Sequence, residues 1–236
     1  MSSGLFVFLQ KYTCVCYLSF FSITTFIGEK IMSTKSIKSN LDQKKKLKYL
    51  AQIAILAALA AILMLLEIPL WFAPTFYKLD LSEVPILIGA FAMGPISAIL
   101  MELLKNILNI LMDGTTTNFV GEFANFVMGC AFVVPAALIY RHKRTFFGAL
   151  IGIIVGTISL AAIGSLINYF VLIPTYSTLY HLPLDAIISM GAALNNWIQD
   201  LKTFVLFATL PFNLFKGVVC SLVTILLYKR ISKILK

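Results

Sequence analysis

Apolar blocks of about 20 residues recur along this chain, the length an α-helix needs to cross the roughly 30 Å hydrocarbon core of a bilayer. Inside that core each backbone N–H and C=O must find its partner within the segment, so such blocks fold as helices. Of the 236 residues, 60% are hydrophobic and 12% are charged. Soluble domains run near half apolar and a quarter charged, so an ordinary soluble fold is excluded. The expected fold is all-α: a polytopic membrane protein of six transmembrane helices.

The first span covers about 47–68, and Pro69 with Trp71, Phe72, Phe76 and Tyr77 marks a membrane interface after it. The next apolar stretch, about 82–112, is too long for one compact span. It contains Gly94-Pro95, a dipeptide that breaks or turns a helix, so it divides into a short helix at 83–93 and a longer one at 95–112. A polar loop at 113–118 precedes a fourth span at 119–140, which ends at the basic run Arg141, His142, Lys143, Arg144. The fifth span is expected at about 147–173 and the sixth at about 201–228, with an external loop at 174–200 carrying a short interfacial helix around 184–198.

Residues 1–46 read as an N-terminal extension and basic cytoplasmic tail, and 47–236 as the six-helix domain. Residues 1–31 are assigned no function, on the expectation that translation begins at Met32; the alternatives are a signal-like segment or an additional helix.

The net charge of +9 would suggest nucleic acid in a soluble protein. Here the Lys and Arg residues cluster between or beyond the apolar blocks, which is the pattern of membrane orientation, and nucleic acid is not expected as a partner. With six alternating helices, the N-terminal lysines, the 141–144 cluster and the C-terminal tail fall on one side. That side, with both termini of the domain, is expected to be cytoplasmic in a multi-pass protein of the cell membrane. The other side holds Glu67, Asp80, Glu83, Asp113, Glu122, Asp185 and Asp200.

No G-x-S-x-G, H-E-x-x-H or G-x-x-x-x-G-K-[ST] occurs in the sequence, so the chain is expected not to be an enzyme, and any ATP hydrolysis belongs to another subunit. Cys14, Cys16, Cys130 and Cys220 lack zinc-like spacing, and His142 and His181 have no nearby ligand cluster, so no metal site or cofactor is expected.

Three charged residues fall deep within apolar spans, away from their ends: Glu102, Lys105 and Lys216. Such residues face a bundle interior or a cavity, because lipid cannot solvate them. Glu102 and Lys105, three apart on one helical face, read as a mutually neutralising pair extended by Glu122, or as a gating or partner contact. Lys216 has no acid at i±3 or i±4, and its companion at i−3 is Asn213. An ammonium and an amide on one side of the last helix can fix the carbonyls and ring nitrogens of a planar, polar-edged ligand, with Asn168 as a third donor and acceptor. The alternative is that Lys216 snorkels while Asn213 only bonds between helices. Ala54-Ala58 and Ala57-Ala61 on the first span form small-xxx-small pairs that permit close approach of another helix.

Several segments together resemble the riboflavin-specific substrate-binding (S) component of energy-coupling factor importers: Leu79-Asp80-Leu81-Ser82-Glu83-Val84-Pro85, Gly94-Pro95, Leu104-Lys105-Asn106 and Gly121-Glu122-Phe123-Ala124-Asn125-Phe126. More specific are Leu166-Ile167-Asn168-Tyr169-Phe170-Val171-Leu172-Ile173-Pro174 and Pro211-Phe212-Asn213-Leu214-Phe215-Lys216-Gly217. The resemblance implies a six-helix subunit that captures riboflavin, the transported ligand, from outside. It then works with a transmembrane coupling subunit and two ATPase subunits. It further implies that Asn168, Asn213 and Lys216 bind the flavin, that the loop of Tyr77, Lys78, Leu79 and Asp80 covers it, and that the face of Ala54, Ala57, Ala58 and Ala61 docks on the coupling subunit. Rival expectations are an S component for another vitamin, a structural membrane protein without a ligand, and an intramembrane enzyme built on Glu102, Glu122 and the histidines.

Overall fold

The computed structural model describes residues 40–115 and 117–235. The expectations for 1–31, Met32, Cys14 and Cys16 lie outside them. The chain divides into two compact units, Met1–Lys46 and Leu47–Lys236, and the second holds the helical bundle.

Helix α1 (Asn40–Leu65) is followed by a two-residue ladder in which β1 (Ile68–Pro69) pairs antiparallel with β2 (Lys78–Leu79). Then come α2 (Glu83–Met93), α3 (Pro95–Asp113), α4 (Val120–His142), α5 (Phe146–Ile167), α6 (Ile173–Leu179), α7 (Leu184–Ala192), α8 (Leu201–Phe204) and α9 (Leu210–Leu235). A π-helical turn at Asn168–Leu172 joins α5 to α6, and another at Val205–Thr209 joins α8 to α9. Among the described residues, five stretches are long and apolar enough to cross a membrane: Lys45–Leu65, Pro95–Asp113, Val120–His142, Phe146–Leu179 and Leu201–Leu227. Helix α2 is the sixth apolar helix. Its 11 residues span only about 16 Å, so it fits inside the bundle instead of crossing the bilayer alone.

The boundaries have local causes. Gly94 takes φ +99° and its N–H closes on the Ala90 carbonyl, while Pro95 begins α3 at a position where its missing N–H does no harm. Thr145 caps α5 by accepting from the Gly148 N–H, and Asp200 caps α8 through the Thr203 N–H. Both π turns precede a proline. Pro174 and Pro211 each stand four residues after the middle of a π turn, at Phe170 and Phe207. A helical proline donates no hydrogen bond, and its ring collides with the carbonyl four residues back. Widening that turn relieves the collision and is seen preferentially at functional positions.

Burial sorts the faces of each helix. On α1, Ile53, Leu56, Ala57, Ala60 and Ala61 point inward at helical spacing, whereas Leu47, Leu50, Ile55, Leu59 and Ile62 face outward. Both faces are apolar, as a lipid-facing helix requires. Helix α3 is polar inside: Glu102, Lys105, Asn106 and Asn109 are buried, and Ile96, Leu104, Ile107 and Leu111 are exposed. Helices α4 and α5 lie close enough that a Cβ on Gly152 would stand 2.6 Å from the Ala136 carbonyl oxygen, so this contact requires glycine.

The polar stripe of α3 closes on α2. Lys105 Nζ lies 2.7 Å from Glu83 Oε1 and 2.7 Å from Glu102 Oε2, with all three side chains enclosed. The expected Glu102–Lys105 pair is present, but its extension is Glu83, not Glu122. Glu122 instead accepts from the Thr117 hydroxyl. Replacing Lys105 by Ala leaves two buried carboxylates facing each other and is expected to cost about 3–5 kcal/mol. Thermal unfolding of the detergent-purified protein checks this; a variant that melts with the parent would show the cluster to be dispensable.

Candidate functional site

A cavity of about 280 Å³ opens between the segment after α1, the α3–α4 connection, and helices α4, α5 and α9. Its closed end is built from Asn168 and Asn213, which are 3% and 4% exposed, with Lys216, Asp80 and Glu83 alongside. Phe212, Leu160, Leu172, Met128 and Tyr77 supply the apolar wall. The mouth carries Glu67, Lys78, Asp113, Gly114, Thr117 and Glu122, all exposed or half-buried. Small-molecule sites are usually mostly apolar with a few converging polar groups; this cavity is more polar than that, since Asp, Glu, Lys, Asn and Thr make up about half of its lining.

Of the residues expected at a site, Tyr77, Lys78, Asp80, Asn168, Asn213 and Lys216 line this one cavity, while Leu79 does not. The Leu79 side chain is buried, and its backbone pairs with Ile68 in the β ladder. The alanines divide. Ala57 and Ala61 are fully enclosed within the bundle, so the expected outer face of four reduces to Ala54 and Ala58, which face outward. Ala57 is part of the main core with Ile86 and Phe132.

Lys216 is not free. Its Nζ donates to Asp80 Oδ2 at 2.7 Å, so a carboxylate from the segment before α2 offsets the burial of the ammonium. Asp80 in turn accepts from both the N–H and the hydroxyl of Ser82. Burial pushes the Asp80 carboxyl up, but Lys216, Lys105 and these hydrogen bonds outweigh it and hold its pKa at about 2. A depressed carboxylate stabilises the fold above its ordinary value near 3.8 and loses that contribution as pH falls toward 2. The pair therefore stays charged across the neutral range.

Asn168 is also partly committed. Its Nδ2 donates to the Gly164 carbonyl at 2.8 Å and its Oδ1 accepts from the Tyr77 hydroxyl at 2.8 Å. Since Tyr77 has one proton to give, the Thr209 hydroxyl, 2.7 Å away, is the donor in their contact. Tyr77 thus bridges the two π turns, one at Asn168 and one at Thr209, and its ring stacks on Phe212 with centroids 4.9 Å apart. At the mouth, Lys78 is tied to Glu67 by an ion pair.

Asn213 differs from the others. Its Nδ2 is buried without a hydrogen-bond partner, a state that costs roughly 1–3 kcal/mol unless something else accepts from it. A Cβ on Gly164 would stand 2.6 Å from that nitrogen, so the glycine is what gives Asn213 its place in the wall.

Glu83 and Glu122 line the cavity without having been expected there, and Thr209 and the π turns support it from behind through Tyr77. Pro174 and Pro211 were the available signal for the turns. The pairing of Asp80 with Lys216, which are 136 residues apart, has no local signature. Among the described residues no group of three His, Cys, Asp or Glu could hold a metal ion. His142 and His181 are exposed and do not line the cavity. Glu102 is enclosed away from the cavity that Glu122 lines, so the expected catalytic grouping does not assemble.

Asp80→Asn leaves the Lys216 ammonium without its counter-charge and should destabilise toward the lower end of about 3–5 kcal/mol. The double variant Asp80→Asn/Lys216→Met should recover most of that loss in a thermal-unfolding double-mutant cycle; strict additivity would mean the pair contributes nothing.

Residues 48–228 match the family described as ECF transporter, substrate-specific component. The riboflavin transporter RibU of Staphylococcus aureus (strain TCH60) is 37% identical over 199 residues, which cover 84% of this chain and 96% of that protein. The riboflavin transporter FmnP of Bacillus subtilis (strain 168) is 32% identical over 188 residues, covering 79% and 93%. A solved chain described under "Structure and mechanism of the S component of a bacterial ECF transporter" aligns with a TM-score of 0.63 at 35% identity, over 81% of this chain and 99% of that one. At this coverage the likeness takes in the bundle as a whole, not a local motif.

Proposed function

The chain belongs to the family of ECF transporter substrate-specific components, and on that premise we propose that its cavity captures riboflavin for delivery through an ATP-driven coupling module. The observation that carries this reading is Asn213, a cavity-lining residue whose buried amide nitrogen has no partner, whereas the neighbouring Asn168 and Lys216 are already bonded.

A flavin presents along one edge two carbonyl acceptors flanking an N–H. The Asn213 amide offers a donor beside an acceptor, which matches a carbonyl and the adjacent N–H. Lys216, held charged by Asp80, keeps further N–H groups for the second carbonyl, and Asn168 retains one amide hydrogen. The tricyclic ring lies against the stacked Tyr77 and Phe212 on one side and the aliphatic wall of Leu160, Leu172 and Met128 on the other. The ribityl chain then extends toward Asn109, Asn125 and Thr117. In this reading the segment carrying Tyr77, Lys78, Leu79 and Asp80 closes over the ring, with Leu79 contributing backbone pairing and no ligand contact.

Helix α4 supports an extracellular mouth. Gly121 and Glu122, at its start, line the mouth, and Arg141 and His142 stand at its far end. By the positive-inside rule the basic end is cytoplasmic, which turns the cavity outward. The ligand is cargo and undergoes no chemistry. The energy would come from a transmembrane coupling subunit with two ATPase subunits, and the outward alanines Ala54 and Ala58 of α1 offer a close-packing face for it.

Titration of the detergent-purified protein with riboflavin, following quenching of flavin fluorescence, tests the assignment. The parent should saturate. Asn213→Ala should bind about tenfold more weakly, the equivalent of one lost hydrogen bond of about 1.4 kcal/mol. Gly164→Ala, which forces Asn213 out of place without deleting it, should weaken binding in the same direction. A folded parent that quenches no flavin would sink the assignment.

A further inference from the structure

The cavity's carboxylates are ion-paired at its closed end and mostly unpaired at its mouth. Deep inside, Asp80 pairs with Lys216, and Glu83 with Lys105 behind the wall. At the mouth, Glu67, Asp113 and Glu122 face a single ammonium, Lys78, and that ammonium is taken up by Glu67. Asp113 and Glu122 are in no direct ion pair among the described residues, and Asp113 shares the field of Lys78 only at longer range. Glu122 accepts one neutral hydrogen bond, from Thr117 at 2.9 Å.

The orientation of a ligand in this cavity follows from a separate observation. The unpartnered, buried Nδ2 of Asn213 lies at the closed end, so the polar edge of a planar ligand seats there and its tail points to the mouth. We propose that Asp113 and Glu122 are specificity-determining residues that discriminate against ligands bearing a phosphomonoester on that tail. A neutral polyol tail hydrogen-bonds to carboxylates, whereas a phosphate carries about −1.5 to −2 charge at pH 7 and adds three acceptors where acceptors already stand. This rests on the riboflavin reading and adds to it the class of flavin admitted.

The size of the effect follows from Coulomb's law. A phosphate about 8 Å from two unit charges in a water-like dielectric is disfavoured by roughly tenfold at about 10 mM salt. At about 0.5 M salt the screening length falls to about 4 Å and the penalty drops to about twofold or less.

The experiment compares riboflavin with riboflavin 5′-phosphate by fluorescence titration of the detergent-purified full chain, for the parent and for Asp113→Asn/Glu122→Gln, at both salt concentrations. The readout is the ratio of the two affinities within each protein, so a general loss of binding in the variant cancels. The isosteric substitutions also keep the space available to a phosphate unchanged. Expected is a ratio near tenfold for the parent at low salt, near twofold at high salt, and near twofold for the double variant at both. Equal affinities in the parent at low salt would overturn the proposal, as would tighter binding of the phosphate or a tenfold ratio that survives the double substitution. A folded parent that binds neither flavin fails at the earlier step: it overturns the riboflavin assignment, and this inference with it.

Discussion

The bundle is organised around two lysines that an apolar interior cannot hold alone. Moving one ammonium from water into a low-dielectric medium costs on the order of 20 kcal/mol in the idealised limit, more than the whole stability of about 5–15 kcal/mol that a typical fold retains. Lys105 must therefore meet carboxylates, and it meets Glu83 and Glu102; Lys216 meets Asp80. Asp80 and Glu83 are three residues apart, so one short segment anchors helices α3 and α9 at once. The chain before it, from the end of α1, is thereby held across the cavity, which is why Tyr77 can reach both π turns.

What the sequence makes legible is set by range. Span lengths, the Gly94-Pro95 break and the caps at Thr145 and Asp200 act within a few residues, and 83–93 is observed with the expected bounds. The identity of the charge partners is a different matter. Glu102 and Lys105 share a helix, and their pairing follows from spacing. Glu83 and Asp80 read as surface acids on the outer side, because nothing near them in the chain is basic at helical spacing; only the folded bundle brings Lys105 and Lys216 to them. The alanines of α1 mark the same limit. A small residue favours close approach whichever way it faces, so the four alanines are equivalent by sequence, and burial separates Ala57 and Ala61 from Ala54 and Ala58.

The site residues are legible by type before they are legible by role. Asn168, Asn213 and Lys216 stand out because amides and ammonium groups are expensive in a membrane interior, and all three do line one cavity. Their roles diverge once partners are counted. Asn168 spends its oxygen on Tyr77 and an N–H on Gly164; Lys216 spends a donor on Asp80; Asn213 leaves its nitrogen unspent. Unsatisfied capacity, more than polarity, distinguishes a group that waits for a ligand from one that holds the wall.

The two π turns show how opposite sides of the cavity wall are made from one device. A helix that carried the α pattern through 168–172 would have to accommodate the Pro174 ring against the Phe170 carbonyl, and likewise Pro211 against Phe207. Relaxing each turn adds a residue to it and rotates the helix beyond the turn relative to the helix before it. Asn168 begins the first π turn and Thr209 ends the second, and a single tyrosine hydroxyl joins them. The proline that interrupts each helix thus sets where the cavity's closed end lies. The turns keep their backbone bonded, with the Ile173 N–H on the Asn168 carbonyl and the Leu210 N–H on the Val205 carbonyl, as a membrane interior requires.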